Sequence, residues 1–475
     1  MRIDRIKSRT KWIIFFLIIK CLYDFLTVYV LQDLWYPGYG SYGIAYNPSK
    51  ELVCVIFLLI MSGCFLAMKS KGTFLDSLMV MLFVLYYIPM NSSYAINNTS
   101  FSFFWKSNLY FFLFLLCVNL FIKSTPKKKD INQSTSENDL MYKMFQKPFV
   151  QIMCIVVCVF CILYKFSYNG LSFSISLENE DVYSSREAFQ ANMDLISGSL
   201  FSYILAIFRN LAGYVAPVYF YYSLTQRKFL GMIISTVCML SLFALSSGKI
   251  VLMFMIVVLI IAFFRKSKVL HDFSGFFVVG LIGLLLLCGI EIIAFKSTNI
   301  FMFFVRRVMY YPAWLNSLYF DFFDQNIKVL WSQDAFLLQN ILPNRYSKNI
   351  LNIISNHYYM GYIPSPNTGL FAEAYMHFGN IGIFVYPILL TMLLKKAQKV
   401  FFKFGRDISI LVAVKLVLQI TNVSIVRTDF VLSFILFVFL MDIIPMLVFQ
   451  KENKMIGNKD GKKKKYWRII RDGRY

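Results

Sequence analysis

The strongest constraint on this chain is a recurring one: apolar blocks of about 20 residues, separated by shorter polar stretches, from Trp12 to Phe449. A helix rises ~1.5 Å per residue and a bilayer core is ~30 Å thick, so each block matches one crossing. Spans are expected at 12–31, 51–68, 73–90, 103–122, 149–166, 199–223, 229–246, 249–264, 275–295, 370–394, 407–424 and 428–449. Composition agrees: 58% of residues are hydrophobic and 15% charged, against roughly 45–50% and 25% in soluble domains. The expected fold is all-α, a single polytopic membrane domain over 1–475 with about 12 transmembrane helices. A soluble enzyme, a disordered chain and a disulfide-stapled secreted module are excluded.

The formal net charge is +23, which in a soluble chain would raise the question of nucleic acid. Position answers it. Most Lys and Arg fall in segments 2–11, 69–71, 123–147, 227–228, 265–268, 395–406 and 451–474, and the intervening loops are poor in basic residues. That is the positive-inside pattern, which places both termini in the cytoplasm and makes 450–475 a basic cytoplasmic tail. The basic excess sets topology and meets anionic lipid, and no nucleic-acid partner is expected. The N-terminal block has no small-residue cleavage site after it and reads as a retained first helix.

Two loops on the expected outer side are long. Residues 167–198 are acidic, with Glu178, Glu180, Asp181, Glu187 and Asp194 against Arg186. Residues 296–368 greatly exceed the ~2–8 residues usual between packed helices. Within them, Phe301 to Phe323 is aromatic-rich, carries Arg306 and Arg307, and is broken by Pro312. It reads as an interfacial or re-entrant helix.

Charges inside spans each need a reason, because insertion costs a few kcal/mol. Lys20 and Asp24 are four apart and can neutralise each other on one helix face. Arg209 has no carboxylate within a turn and needs a partner on another helix, for which Glu291 is a candidate. Lys249, Arg306, Arg307 and Arg427 stand on the expected outer side against the positive-inside trend, which suggests an anionic partner, since guanidinium and ammonium groups bind phosphate. Glu373 and His377 are four apart and share a face, a spacing that lets them share a proton as base or orienting pair. The alternative is a plain interfacial hydrogen bond. All nine Cys lie in apolar blocks, and the Cys158–Cys161 spacing lacks a second pair or a histidine, so no metal or disulfide is expected. No glycine-rich phosphate loop or serine elbow is present, and no cofactor is expected.

In this plan the chain resembles the bacterial O-antigen and capsular repeat-unit polymerases of the Wzy type. The likeness rests on ten to fourteen spans with a large late outer loop, on Ser247, Gly248 and Lys249 at a helix junction, and on Asn367, Thr368, Gly369, Glu373, Tyr375, Phe378, Gly379 and Gly382. The motif-level match covers about thirty residues. The resemblance implies a metal-independent membrane glycosyltransferase of GT-C-like architecture in the bacterial cytoplasmic membrane. It would transfer a growing glycan from undecaprenyl pyrophosphate to an incoming lipid-linked oligosaccharide repeat unit at the outer face. It further implies a chain-length-regulating co-polymerase and a repeat-unit flippase as partners. On that reading Arg209, Lys249, Arg306, Arg307 and Arg427 would stabilise the departing pyrophosphate and Glu373 or His377 would act as base. An O-antigen ligase, for which His357 would be the outer-loop histidine, and a lipid-linked oligosaccharide flippase remain the alternatives.

Overall fold

The computed structural model describes residues 2–34, 44–123, 142–169, 200–246, 249–265, 267, 272–333, 335–336, 338–359 and 367–455. The acidic stretch from 170 to 198, the tail from 456 onward, and Ser247 and Gly248 lie outside the described residues. The described residues are all-helical apart from loops and turns, and the protein is a polytopic membrane protein. Its helices, in chain order, are α1 (Arg2–Val28), α2 (Glu51–Ala67), α3 (Thr73–Leu82), α4 (Ile88–Ile96), α5 (Phe101–Phe121), α6 (Pro148–Asn169), α7 (Leu200–Thr225) and α8 (Phe229–Ser246). They continue as α9 (Lys249–Phe264), α10 (Phe273–Phe295), α11 (Tyr311–Gln325), α12 (Ile350–Tyr359), α13 (Leu370–Phe378), α14 (Asn380–Phe401), α15 (Arg406–Ile420) and α16 (Leu436–Met455).

Among the described residues, nine helical stretches are long and apolar enough to cross a membrane: 9–31, 48–67, 73–96, 101–121, 148–166, 204–225, 273–295, 380–404 and 428–447. Phe229–Leu245 and Phe254–Phe264 are apolar but shorter. Two expectations shift. The block at 407–424 forms only the 15-residue α15, and the expected span 370–394 is broken. Gly379 has φ 56°, a backbone conformation open mainly to glycine, so α13 ends there and the span begins at Asn380.

The chain divides into two compact units. Unit 1 comprises 1–125, 271–395 and 416–427, and unit 2 comprises 126–270, 396–415 and 428–475. In unit 1 the stretch 73–96 is central, with 89% of its apolar window buried. It joins α3 to α4 through a π-helical turn, Phe83–Tyr87, a local widening often found at functional positions. The aromatic stretch after α10 is helical throughout. Phe301–Tyr310 forms a π-helix that runs straight into α11, whose Trp314, Tyr319, Phe320 and Phe323 are buried. Pro312 does not break the helix. It sits in the first turn of α11, after the π segment, where its missing N–H is least costly. In unit 2, α6, α7 and α8 pack on one another, and α7 also packs on the π-helical turn Val431–Ile435.

Helix ends follow from local chemistry. Ser100 caps α5, its Oγ accepting from Phe103 N–H at 3.2 Å, and Asp272 caps α10, accepting from Gly275 N–H at 3.1 Å. Each such cap is worth ~1 kcal/mol. Lys20 and Asp24 do pair on α1, as their spacing implies, and Glu51 at the start of α2 joins the same ammonium. The shared ammonium links α1 to α2.

Candidate functional site

The site is built around α13 in unit 1. A helix leaves its first N–H groups unsatisfied, and here two buried side chains take them. Ala372 N–H donates to Asn316 Oδ1 at 2.8 Å and Phe371 N–H donates to Tyr86 Oη at 3.2 Å. The Tyr86 hydroxyl in turn donates to Asn316 Oδ1 at 2.9 Å. Asn316 Nδ2 donates to Pro312 O at 2.6 Å. The π-helical turn, α11 and α13 are thereby fixed together. Gly369, just before α13, admits no side chain, because a Cβ there would run into the backbone carbonyl of Ile420. Gly382 lies as close to the carbonyl of Ala374.

Glu373 and His377 are both fully buried, and each holds a different loop. Glu373 Oε1 accepts from Ser424 Oγ at 2.6 Å and Oε2 from Ile425 N–H at 2.9 Å. His377 Nδ1 accepts from Trp331 N–H at 3.2 Å, which leaves the ring proton on Nε2. Val329 N–H and Leu330 N–H donate to the carbonyls of Met376 and His377, at 3.0 and 3.2 Å. The Trp331 indole N–H reaches Tyr386 Oη at 2.8 Å. Trp331 and Leu330 have φ of 65° and 51°, an uncommon conformation for such residues that these bonds maintain. Burial pushes the Glu373 carboxyl up to about 7 and the His377 imidazole down to about 3. The expected pair therefore lies on one short helix, but in this conformation both side chains anchor backbone.

The same anchoring positions Arg427. Ala335 and Arg427 form an antiparallel bridge, and Phe336 N–H donates to Val426 O at 2.8 Å. The Arg427 guanidinium donates to Asn367 Oδ1 at 3.1 Å. Residues 326–333, 335–336, 338–342, 367–378 and 421–427 thus form one cross-linked cap on unit 1. Of the remaining cations, Arg306 and Arg307 are half-buried on the π-helix, and Arg306 lies 6.0 Å from the Tyr311 ring centroid.

The other two cations belong to unit 2. Arg209 meets Asp429 at 3.5 Å. Glu291, the partner considered from sequence, instead accepts from Ser297 Oγ, Asn299 N–H and Ile300 N–H, each at 2.9 Å. Lys249 is the first residue of α9. The predicted set is thus split, with Arg306, Arg307, Arg427, Glu373 and His377 in unit 1.

Sequence reasoning missed the more accessible part of the cap. Lys106 on α5 donates to Tyr375 Oη at 3.2 Å, and Tyr375 donates to Asp324 Oδ1 at 2.5 Å. The Lys106 ammonium is 3.7 Å from the same carboxylate, whose side chain is 48% exposed. Lys106 also lies 5.1 Å from the Phe320 ring centroid, and Lys328 lies 5.0 Å from that of Tyr375. Asp321, one turn earlier, is pushed up to about 6 by burial and by Asp324. The only available signal was Asp321, Asp324 and Lys328 in an aromatic run, which is weak without knowing that Lys106 packs there. His357 is exposed and sits edge-on to Phe322, ring centroids 5.4 Å apart. No group of metal-ligating side chains occurs among the described residues.

The chain matches no model of a known protein family, no curated protein and no solved structure.

Proposed function

We propose that this protein is a membrane glycosyltransferase of the repeat-unit polymerase type, acting at the outer face of the bacterial cytoplasmic membrane. The bond from the anomeric carbon of the donor glycan to undecaprenyl pyrophosphate breaks. A glycosidic bond forms to a hydroxyl of the incoming repeat unit, and the hydroxyl proton passes to a base. The pyrophosphate leaves with both electrons of the broken bond. The donor carries its own leaving group, so the reaction needs no nucleotide.

One observation carries this reading. The second motif of the resemblance, from Asn367 to Gly382, contributes to a cap within unit 1. There a guanidinium (Arg427), a buried carboxylate (Glu373), a histidine (His377) and the Lys106–Tyr375–Asp324 chain are set in backbone that its own bonds hold rigid. Long loops fixed on a helical scaffold are suited to binding and catalysis, and preorganised cations stabilise a departing phosphate most effectively. Arg306, Arg307 and Arg427 would supply that charge within unit 1. Glu373 and His377 are the bases assigned from sequence, and Asp324 is an accessible third.

A flippase is the second reading, favoured by the buried Lys20–Asp24–Glu51 cluster, since charges of this kind mark transport pathways. The deciding experiment is the inventory of lipid-linked and surface glycans in cells lacking the protein. Single repeat units on the outer leaflet with no long polymer support the polymerase. Long polymer retained on its lipid carrier means ligase, units trapped on the inner leaflet mean flippase, and an unchanged profile overturns all three.

A further inference from the structure

Unit 2 contains a cavity whose walls are apolar on one side and cationic on the other. α7 ends at Thr225 and α9 at Phe264, and α8 reverses the chain between them, so both ends lie at the same end of the unit. The cavity between them measures about 700 Å3, within the ~300–1,000 Å3 of small-molecule sites. Leu224, Leu259, Ile260 and Phe263 line it, together with Arg227 and Arg265. Phe263 is 82% exposed, so the apolar wall continues onto the exposed surface of α9.

The charge here is available in a way it is not in the cap. Arg265 donates to the Tyr142 hydroxyl at 3.3 Å, and its backbone carbonyl is held by Arg406 at 2.9 Å. Among the described residues neither Arg227 nor Arg265 has an ion-pair partner. The two helix ends each contribute roughly half a negative charge, which two guanidinium groups exceed, so the cavity is net positive. Arg227 also occupies a left-handed turn, φ 55°, where glycine is the easier residue after a helix. The turn closes without glycine through Lys228 N–H donating to Ser223 O at 2.8 Å.

We propose that this cavity is a binding site for one anionic phospholipid, its phosphate taken by Arg227 and Arg265 and its acyl chains lying along Leu259, Ile260 and Phe263. Guanidinium groups bind phosphate through paired donors, and the apolar wall distinguishes a lipid from a free anion. On the topology expected from the basic segments, the bound lipid belongs to the cytoplasmic leaflet, away from the proposed outer-face chemistry. The proposal does not depend on that chemistry.

The test is native mass spectrometry of the purified full-length protein, titrated with phosphatidylglycerol and separately with phosphatidylcholine. The expected result is one phosphatidylglycerol retained at least tenfold more tightly than phosphatidylcholine. Arg227→Gln should weaken it about fivefold, and adding Arg265→Gln about twenty-fivefold, on the scale of one basic residue near an anionic lipid. Leu259→Trp, which fills the cavity without changing charge, should also abolish the preference. It guards against misreading a double variant that unfolds, since the Arg227 and Leu259 variants leave the Tyr142 bond intact. Equal retention of the two lipids, or an unchanged preference in both Arg227→Gln and Leu259→Trp, overturns the proposal. So does displacement of the lipid by millimolar inorganic phosphate, which would make this a site for a soluble anion.

Discussion

The cap of unit 1 and the α7–α9 cavity of unit 2 both gather positive charge at helix ends, yet they use it oppositely. In the cap, Arg427 is held by Asn367 and by a backbone bridge to Ala335, and Glu373 and His377 are spent on holding loops. In the cavity, Arg227 and Arg265 border apolar walls and meet no carboxylate. A locked charge fixes geometry, whereas an unpaired one attracts a mobile ligand. The first suits chemistry that needs reacting groups held still, and the second suits reversible lipid binding.

The comparison can be broken by mutation, beginning in the cap. Gly369→Val should have the largest effect, because its side chain would run into the Ile420 carbonyl. A loss of about 3 kcal/mol or more is expected, read as failure to accumulate in membranes or a collapse of the melting temperature in detergent. Glu373→Ala should cost about 3 kcal/mol, since it strands the buried Ser424 hydroxyl and Ile425 N–H at ~1–3 kcal/mol each. Glu373→Gln separates anchoring from catalysis. If polymer disappears while the melting temperature holds, Glu373 is a base, and if both fall together it is an anchor.

Acid should divide the same pair. The Glu373 carboxyl, raised to about 7 from its ordinary 4.5, weakens the fold as pH rises through that window. The His377 imidazole, lowered to about 3 from 6.5, weakens it as pH falls below 6.5. Between pH 7 and 4.5 the two trends oppose, so the wild-type melting temperature should change little. Glu373→Gln should then lose stability on acidification and His377→Gln should gain it. Parallel curves for the two variants would contradict the cap geometry.

Smaller effects sharpen the contrast. Tyr375→Phe should cost about 1 kcal/mol by removing the hydroxyl between Lys106 and Asp324, with a shift in the pH profile of glycan synthesis if Asp324 accepts the proton. Arg227→Gln should change stability by less than about 0.5 kcal/mol, as expected for an exposed residue with no partner to lose. A large drop there would mean that Arg227 supports the fold rather than a ligand.

Much of the architecture was legible in one dimension. Apolar block length specifies membrane helices because the bilayer thickness is fixed, and the Lys20–Asp24 pairing followed from helical spacing alone. The motif around Asn367–Gly382 stood out, and its Gly369 and Gly382 proved to be points of close backbone approach. Their neighbours were hidden, because Ile420 and Ala374 reach Gly369 and Gly382 only once α13 packs. Arg209 showed the same limit. Its need for a partner was visible from its position in an apolar block, but the partner, Asp429, came from a distant segment rather than from Glu291. The break at Gly379, the burial of Trp314, Tyr319, Phe320 and Phe323, and the Lys106–Tyr375–Asp324 chain were likewise decided by tertiary packing. Sequence by itself determined that the protein is a helical, polytopic membrane protein, because apolar block length is a property of each segment and the solvent. Which charges stay locked and which stay available depended on contacts between segments far apart in the chain, and only the folded structure contains those.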